Sequence, residues 1–195
     1  PPGPRVQSGP PKEPDPVTSL GYIQKIIDYC RTYNIGLSVF LTPSHAHQLE
    51  LDAATGNWWS IENGKRQIVA LLARDAENHS DKEPVVLYDF GGYSQITTEN
   101  LPPLGSKKEM KYYWDSSHFK ENVGNMVLDR LLGTETENHE IPGDFGVRLS
   151  PDNIEAVITQ LNENQEKYRQ NNRQEIKTLQ MWVDAFKEEN GILDN

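Results

Sequence analysis

Cysteine is almost absent from this chain. Cys30 stands alone among 195 residues, which rules out an internal disulfide and any multi-cysteine zinc site and leaves the compartment open. Basic charge is also scarce: 19 Lys and Arg face 29 Asp and Glu, a formal net charge of −10. Such a surface repels polyphosphate, and no basic stripe with interleaved aromatics is present, so nucleic acid is not an expected partner. No apolar run approaches the roughly 20 residues that cross a bilayer, and the opening residues lack the pattern of a signal peptide. What remains is 35% hydrophobic and 25% charged, ordinary for a globular domain with a real core.

Proline is unevenly placed. Seven of the 13 prolines fall within residues 1–16, after a Pro-Pro-Gly-Pro start without an initiator Met. This stretch cannot form a helix and has little to bury. It predicts a linker or extended arm over residues 1–18, cut or processed from something longer. An ordered α/β domain is expected over 19–150 and a helical extension over 151–195.

Within the domain, Ile23, Ile26, Ile27 and Cys30 recur at helical spacing, predicting a helix over 19–33. Residues 36–41 read as a short buried strand stopped by Thr42-Pro43. A helix is expected over 62–78, with Ile68, Val69, Leu71 and Leu72 on its apolar face. Residues 84–89 read as a second strand, whose unbroken apolar run suits a parallel strand covered on both faces. Residues 91–112 form a long excursion, and a helix is expected from 117 to 132. Ser150-Pro151 reads as a helix start. The helix that follows carries eight Asn or Gln in positions 160–174 and is expected to be solvated there, before a packing stripe of Ile176, Leu179, Trp182, Val183 and Phe186. This order predicts an α/β fold with a parallel sheet and flanking helices. Two strands are too few for such a sheet, so either more strands are hidden in the loops or the first part of the domain is missing; the fold reads as incomplete at its N-terminus.

Asp115 and His118 stand three apart just before the third predicted helix. A carboxylate beside an imidazole fixes its tautomer and stabilises the imidazolium formed in catalysis, so the pair reads as an acid/base unit. The bland alternative is a helix cap with His118 in the first turn. Ser44, His45 and His47 follow the first strand, and Asp89 with Gly91-Gly92 follows the second; ligands of open α/β sheets gather at such strand ends. A divalent-metal set of His45, His47, Asp89, Asp115 and His118 would require these loops to converge; the expectation is no metal and no cofactor. Ser94 lacks a nucleophile-elbow context. Tyr112, Tyr113, Trp114, Trp58 and Trp59 are either buried packing or the wall of a sugar site.

The segments 37–46 (LSVFLTPSHA), 64–67 (GKRQ), 87–94 (LYDFGGYS), 97–99 (TTE) and 112–132, with Asp115-x-x-His118 opening a helix, together resemble the C-terminal half of bacterial SGNH (GDSL-like) cell-envelope proteins related to O-acetylating acyltransferases. The resemblance covers about residues 19–150. It implies a three-layer, flavodoxin-like fold and acyl chemistry, with His118 as general base, Asp115 as its orienting carboxylate, and Ser44 and His45 near the oxyanion position. It also implies an acyl-ester or polysaccharide substrate and a place on the periplasmic side of a bacterial envelope. The family's nucleophilic Ser, in a Gly-Asp-Ser or Gly-x-Ser context after the first strand, has no counterpart here. Two functional readings follow: an esterase or O-acyltransferase whose Ser lies elsewhere, or a non-catalytic binding or assembly subunit of a larger complex.

Overall fold

A computed structural model describes residues 18–103, 105–134 and 141–192. The Pro-rich stretch up to residue 17 lies outside them. Thr18 begins the described chain as a cap: its hydroxyl accepts the Gly21 N–H at 3.2 Å and opens α1 (Ser19–Thr32). Strand β1 (Ser38–Leu41) follows, then α2 (Ala46–Ala54), α3 (Trp58–Asn78) and β2 (Val86–Asp89). After a long excursion come α4 (Glu121–Leu132), β3 (Val147–Leu149), α5 (Ile154–Asn171) and α6 (Arg173–Glu189).

The sheet is small and mixed. β1 lies parallel to β2, with Ser38 opposite Val86 and Leu41 opposite Asp89. β3 runs antiparallel on the other side of β2, with Leu87 opposite Leu149. The expected parallel sheet is therefore confined to the β1–β2 pair. β3 was not foreseen because a three-residue strand, two of whose residues are exposed, leaves no apolar alternation to read.

β2 joins two apolar cores because successive residues of a strand point to opposite faces. Leu87 packs with Ile27, Val69, Leu72, Leu149, Ile154 and Ile158 from α1, α3, β3 and α5. Tyr88 packs against the second cluster, where Phe90, Ile96, Tyr113, Val123, Val127 and Phe145 meet under α4 and the excursion. Each fully buried large apolar side chain contributes about 1.5–3 kcal/mol of transfer free energy, so both clusters fix where the strand-end loops emerge.

Several boundaries differ from the periodicity. Residues 46–54 form α2 where no helix was expected; its apolar residues are less segregated onto one face than in the other helices, and Glu50 is buried within it. α3 starts at Trp58 rather than 62. α4 starts at Glu121 rather than 117, since 112–120 folds back on itself. Ser150 and Pro151 precede the last helices in a turn, the Ser150 carbonyl accepting from Asn153 and Ile154. The single long helix is broken at Asn172, whose backbone N–H and side-chain amide both donate to the Tyr168 carbonyl. A side-chain amide bonding locally competes with the helix ladder. Of the apolar stripe on α6, Leu179 and Val183 are buried, while Trp182 and Phe186 are exposed.

Gly146, just before β3, has φ +89°, and a Cβ there would overlap the Phe90 ring. Gly146→Ala is therefore expected to cost about 1–3 kcal/mol, read from the urea midpoint. An unchanged midpoint would contradict the close approach of β3 to Phe90.

Candidate active site

Residues 112–120 form a short turn-back stapled at its base. The Trp114 N–H donates to the His118 carbonyl at 2.8 Å, the Lys120 N–H donates to the Tyr112 carbonyl at 2.8 Å, and Tyr113 pairs antiparallel with Phe119. Tyr113 and Phe119 point into the second core. By strand alternation Trp114 and His118 stand on the opposite, outer side, and both are exposed.

Asp115 closes the tip. Its Oδ1 accepts the Ser117 N–H at 2.7 Å and the His118 N–H at 2.8 Å, an Asx-type turn made from the side chain. The same carboxylate meets the imidazole: His118 Nδ1 lies 3.0 Å from Oδ1 and 2.8 Å from Oδ2. The hydrogen bond from the Ser117 N–H, then those from the His118 ring and its N–H, hold the Asp115 carboxyl below the usual carboxylate range. An ionised carboxylate accepts only, so Nδ1 carries the proton and neutral His118 keeps its Nε2 lone pair free. The side chains of His118 and Asp115 are 74% and 57% exposed, so that lone pair is open to a reactant.

Three loops position this tip. The His45 N–H donates to the Ser116 carbonyl at 3.2 Å, and the Ala46 N–H donates to the Thr97 carbonyl at 2.7 Å. Tyr113 OH donates to the Pro43 carbonyl at 2.8 Å, and its ring stands edge-on to His45 with centroids 5.1 Å apart. Glu99 binds the base of the turn-back: one carboxylate oxygen accepts the Lys111 N–H and the other accepts the Tyr112 N–H at 2.8 Å. The sequence reading gave neither residue this positioning role: Glu99 stood only within the 97–99 segment, and Tyr113 as buried packing or the wall of a sugar site. Neither sits at a motif spacing, and only the folded chain brings 43–48, 97–99 and 111–118 together.

Ser44 is half-buried beside this junction, its N–H on the Thr42 carbonyl. His45 is fully buried and both its ring nitrogens are engaged. Nδ1 accepts the His47 N–H at 3.0 Å, and Nε2 donates to the Glu99 carbonyl at 2.7 Å. It thus acts as the cap of α2 and as a strut, with no ring atom left to polarise an acyl oxygen. Asp89 lies elsewhere, in a buried ion pair with Lys65 and with its Oδ1 accepting the Gly91 N–H. The five side chains considered as a metal set do not gather: among the described residues no three His, Cys, Asp or Glu form such a group. Ser94 is buried in a local turn, hydrogen-bonded to Thr97. Trp58 donates to Asn162 at 2.8 Å, while Lys120 lies 4.3 Å over the exposed Trp114 ring.

No known protein family, curated protein or solved structure matches the chain.

Burial pushes the His45 imidazole below its ordinary value despite the bond to the Glu99 carbonyl. The unfolded chain, with an ordinary pKa near 6.5, therefore binds the proton more readily. This contribution to stability is complete above about pH 6.5 and declines as pH falls below it. His45→Asn, which keeps a capping acceptor but cannot titrate, is expected to flatten the fall in urea midpoint between about pH 7 and 5. Parallel pH profiles for the two proteins would contradict the buried neutral imidazole.

Proposed function

We propose that this chain supplies the imidazole–carboxylate half of an SGNH-type ester hydrolase or O-acyltransferase, acting on an acyl ester of an envelope polysaccharide on the periplasmic side of a bacterial cell. The contact between His118 Nδ1 and Asp115, with Nε2 unoccupied and exposed, carries this reading. In the proposed reaction a serine hydroxyl approaches Nε2 and attacks the acyl carbon as its proton passes to His118. Asp115 stabilises the imidazolium, which then returns the proton to the departing alkoxide. Water or a second hydroxyl reverses these steps and frees the enzyme.

Among the described residues no hydroxyl is hydrogen-bonded to the His118 ring; those of Ser116 and Ser117 lie 3.4 Å from the Gln48 side-chain oxygen. The reading therefore places the nucleophile outside them. It also extends the sheet into the three-layer SGNH arrangement through the edge of β1 that has no partner among the described residues.

A second reading, a binding or assembly subunit, is favoured by one observation: Tyr22, Ile26 and Tyr29 of α1 and Tyr33 just after it are all exposed. Small-ester hydrolysis separates the two. In the native-length protein, His118→Ala is expected to lower kcat/KM for a p-nitrophenyl ester by about a thousandfold or more, roughly 4 kcal/mol of barrier, with KM little changed. Asp115→Asn should act in the same direction. The 195-residue chain alone should be inactive. Equal turnover by His118→Ala and wild type would overturn the acyl-transfer reading.

A further inference from the structure

A second imidazole–carboxylate pair lies away from the Asp115 turn. His47, on α2, meets Glu175, on α6, through Nδ1 and Oε1 at 2.8 Å, and Tyr168 on α5 donates to both oxygens of Glu175 at 3.1 Å. These three side chains line a groove of about 700 Å³ between the 98–103 loop and the α5–α6 joint, together with Asn100, Gln174 and Trp182. The volume falls within the range of small-ligand sites, which pair apolar surface with a few orienting polar groups.

The charges in this groove are already matched. Burial pushes the Glu175 carboxyl up, but the hydrogen bond and charge of His47 and the bond from Tyr168 outweigh it and hold Glu175 ionised. The other carboxylate, Glu99, is occupied by the Lys111 and Tyr112 N–H groups. A cationic ligand finds no unengaged anion, and an anionic one meets two carboxylates on a chain of net charge −10. The remaining polar capacity is neutral. The side-chain amides of Asn100 and Gln174 make no hydrogen bond among the described residues, and with Nδ1 held by Glu175, the Nε2 edge of His47 remains for a ligand hydroxyl. Trp182 is 59% exposed on the groove wall, a large flat apolar face at low entropic cost.

From this combination we infer that the groove is a binding site for a neutral, hydroxyl-rich ligand, a short saccharide, stacked on Trp182 and hydrogen-bonded by Asn100, Gln174 and His47 Nε2. The stacking surface takes the carbon–hydrogen face of a pyranose. The amides and imidazole accept or donate to its hydroxyls. Neither Asp115 nor His118 lines the groove, and binding there does not require acyl chemistry.

The test titrates the 195-residue chain with chitotetraose and cellotetraose, and in parallel with spermidine and trigalacturonate, following the Trp182 indole N–H by NMR. At least one neutral tetrasaccharide is expected to bind saturably at millimolar concentration or below. Trp182→Ala, followed by calorimetry, and Gln174→Ala, at an exposed helical position, should each weaken it, the former by about tenfold or more. His118→Ala should bind as wild type does, so failure of the acyl-transfer reading leaves this result intact. Three outcomes would overturn the site: neither tetrasaccharide perturbs Trp182, affinity survives both groove substitutions, or spermidine or trigalacturonate binds there more tightly.

Discussion

The buried imidazole of His45 ties three stretches of chain that sequence keeps far apart. Its Nδ1 caps α2, its Nε2 holds the Glu99 carbonyl, and the backbone N–H of the same residue holds the Ser116 carbonyl. A ring buried this completely must have its polar atoms matched, because an unpaired buried donor or acceptor costs about 1–3 kcal/mol. Both ring nitrogens are matched only when the 97–99 segment is in place, and the backbone bond to Ser116 brings the Asp115 turn to the same point. Tyr113 reinforces the junction from below, and Glu99 closes it from the side. The exposed Asp115–His118 pair is thus mounted on a rigid base. That is the arrangement a positioned acid/base group requires, since small displacements of a reacting group lower rates steeply.

The Asp115–His118 and Glu175–His47 pairs are built differently. Asp115 and His118 are three residues apart on one tight turn, so local geometry alone brings them together, and water surrounds them. His47 and Glu175 belong to different helices and meet only because α6 folds back against α2. A neighbouring tie joins α2 to α5, the Arg169–Glu50 ion pair at 2.7 Å, with Tyr93 OH donating to Glu50 at 2.5 Å. Burial and the neighbouring Glu50 carboxylate push the Tyr93 phenol upward, keeping it a donor. The first pair is open for chemistry, whereas the second is a fixed wall beside a groove.

Helical spacing made α1, α3 and α4 legible, as apolar runs did β1 and β2, although β1, read as buried, has two exposed and two half-buried residues. Asp115 and His118 were legible as a pair because they are near in sequence. The rest was not, for physical reasons. β3 is held by its ladder to β2 and by Leu149 alone in the core, so it has no pattern of its own. α2 carries a buried Glu50 whose partners, Tyr93 and Arg169, lie 43 and 119 residues away. His45 reads as a strand-end ligand until the structure shows both ring nitrogens engaged, and Glu99 and Glu175 act only through long-range contacts. The residues that position the site are those whose partners are farthest away in sequence.

Nitrogen-15 NMR of the His118 ring in mildly alkaline buffer addresses the Asp115–His118 contact most directly. The account predicts the Nδ1-protonated tautomer, with an unprotonated Nε2, and loss of that preference in Asp115→Asn. An Nε2-protonated ring in the wild type, or a tautomer indifferent to the carboxylate at 115, would contradict it.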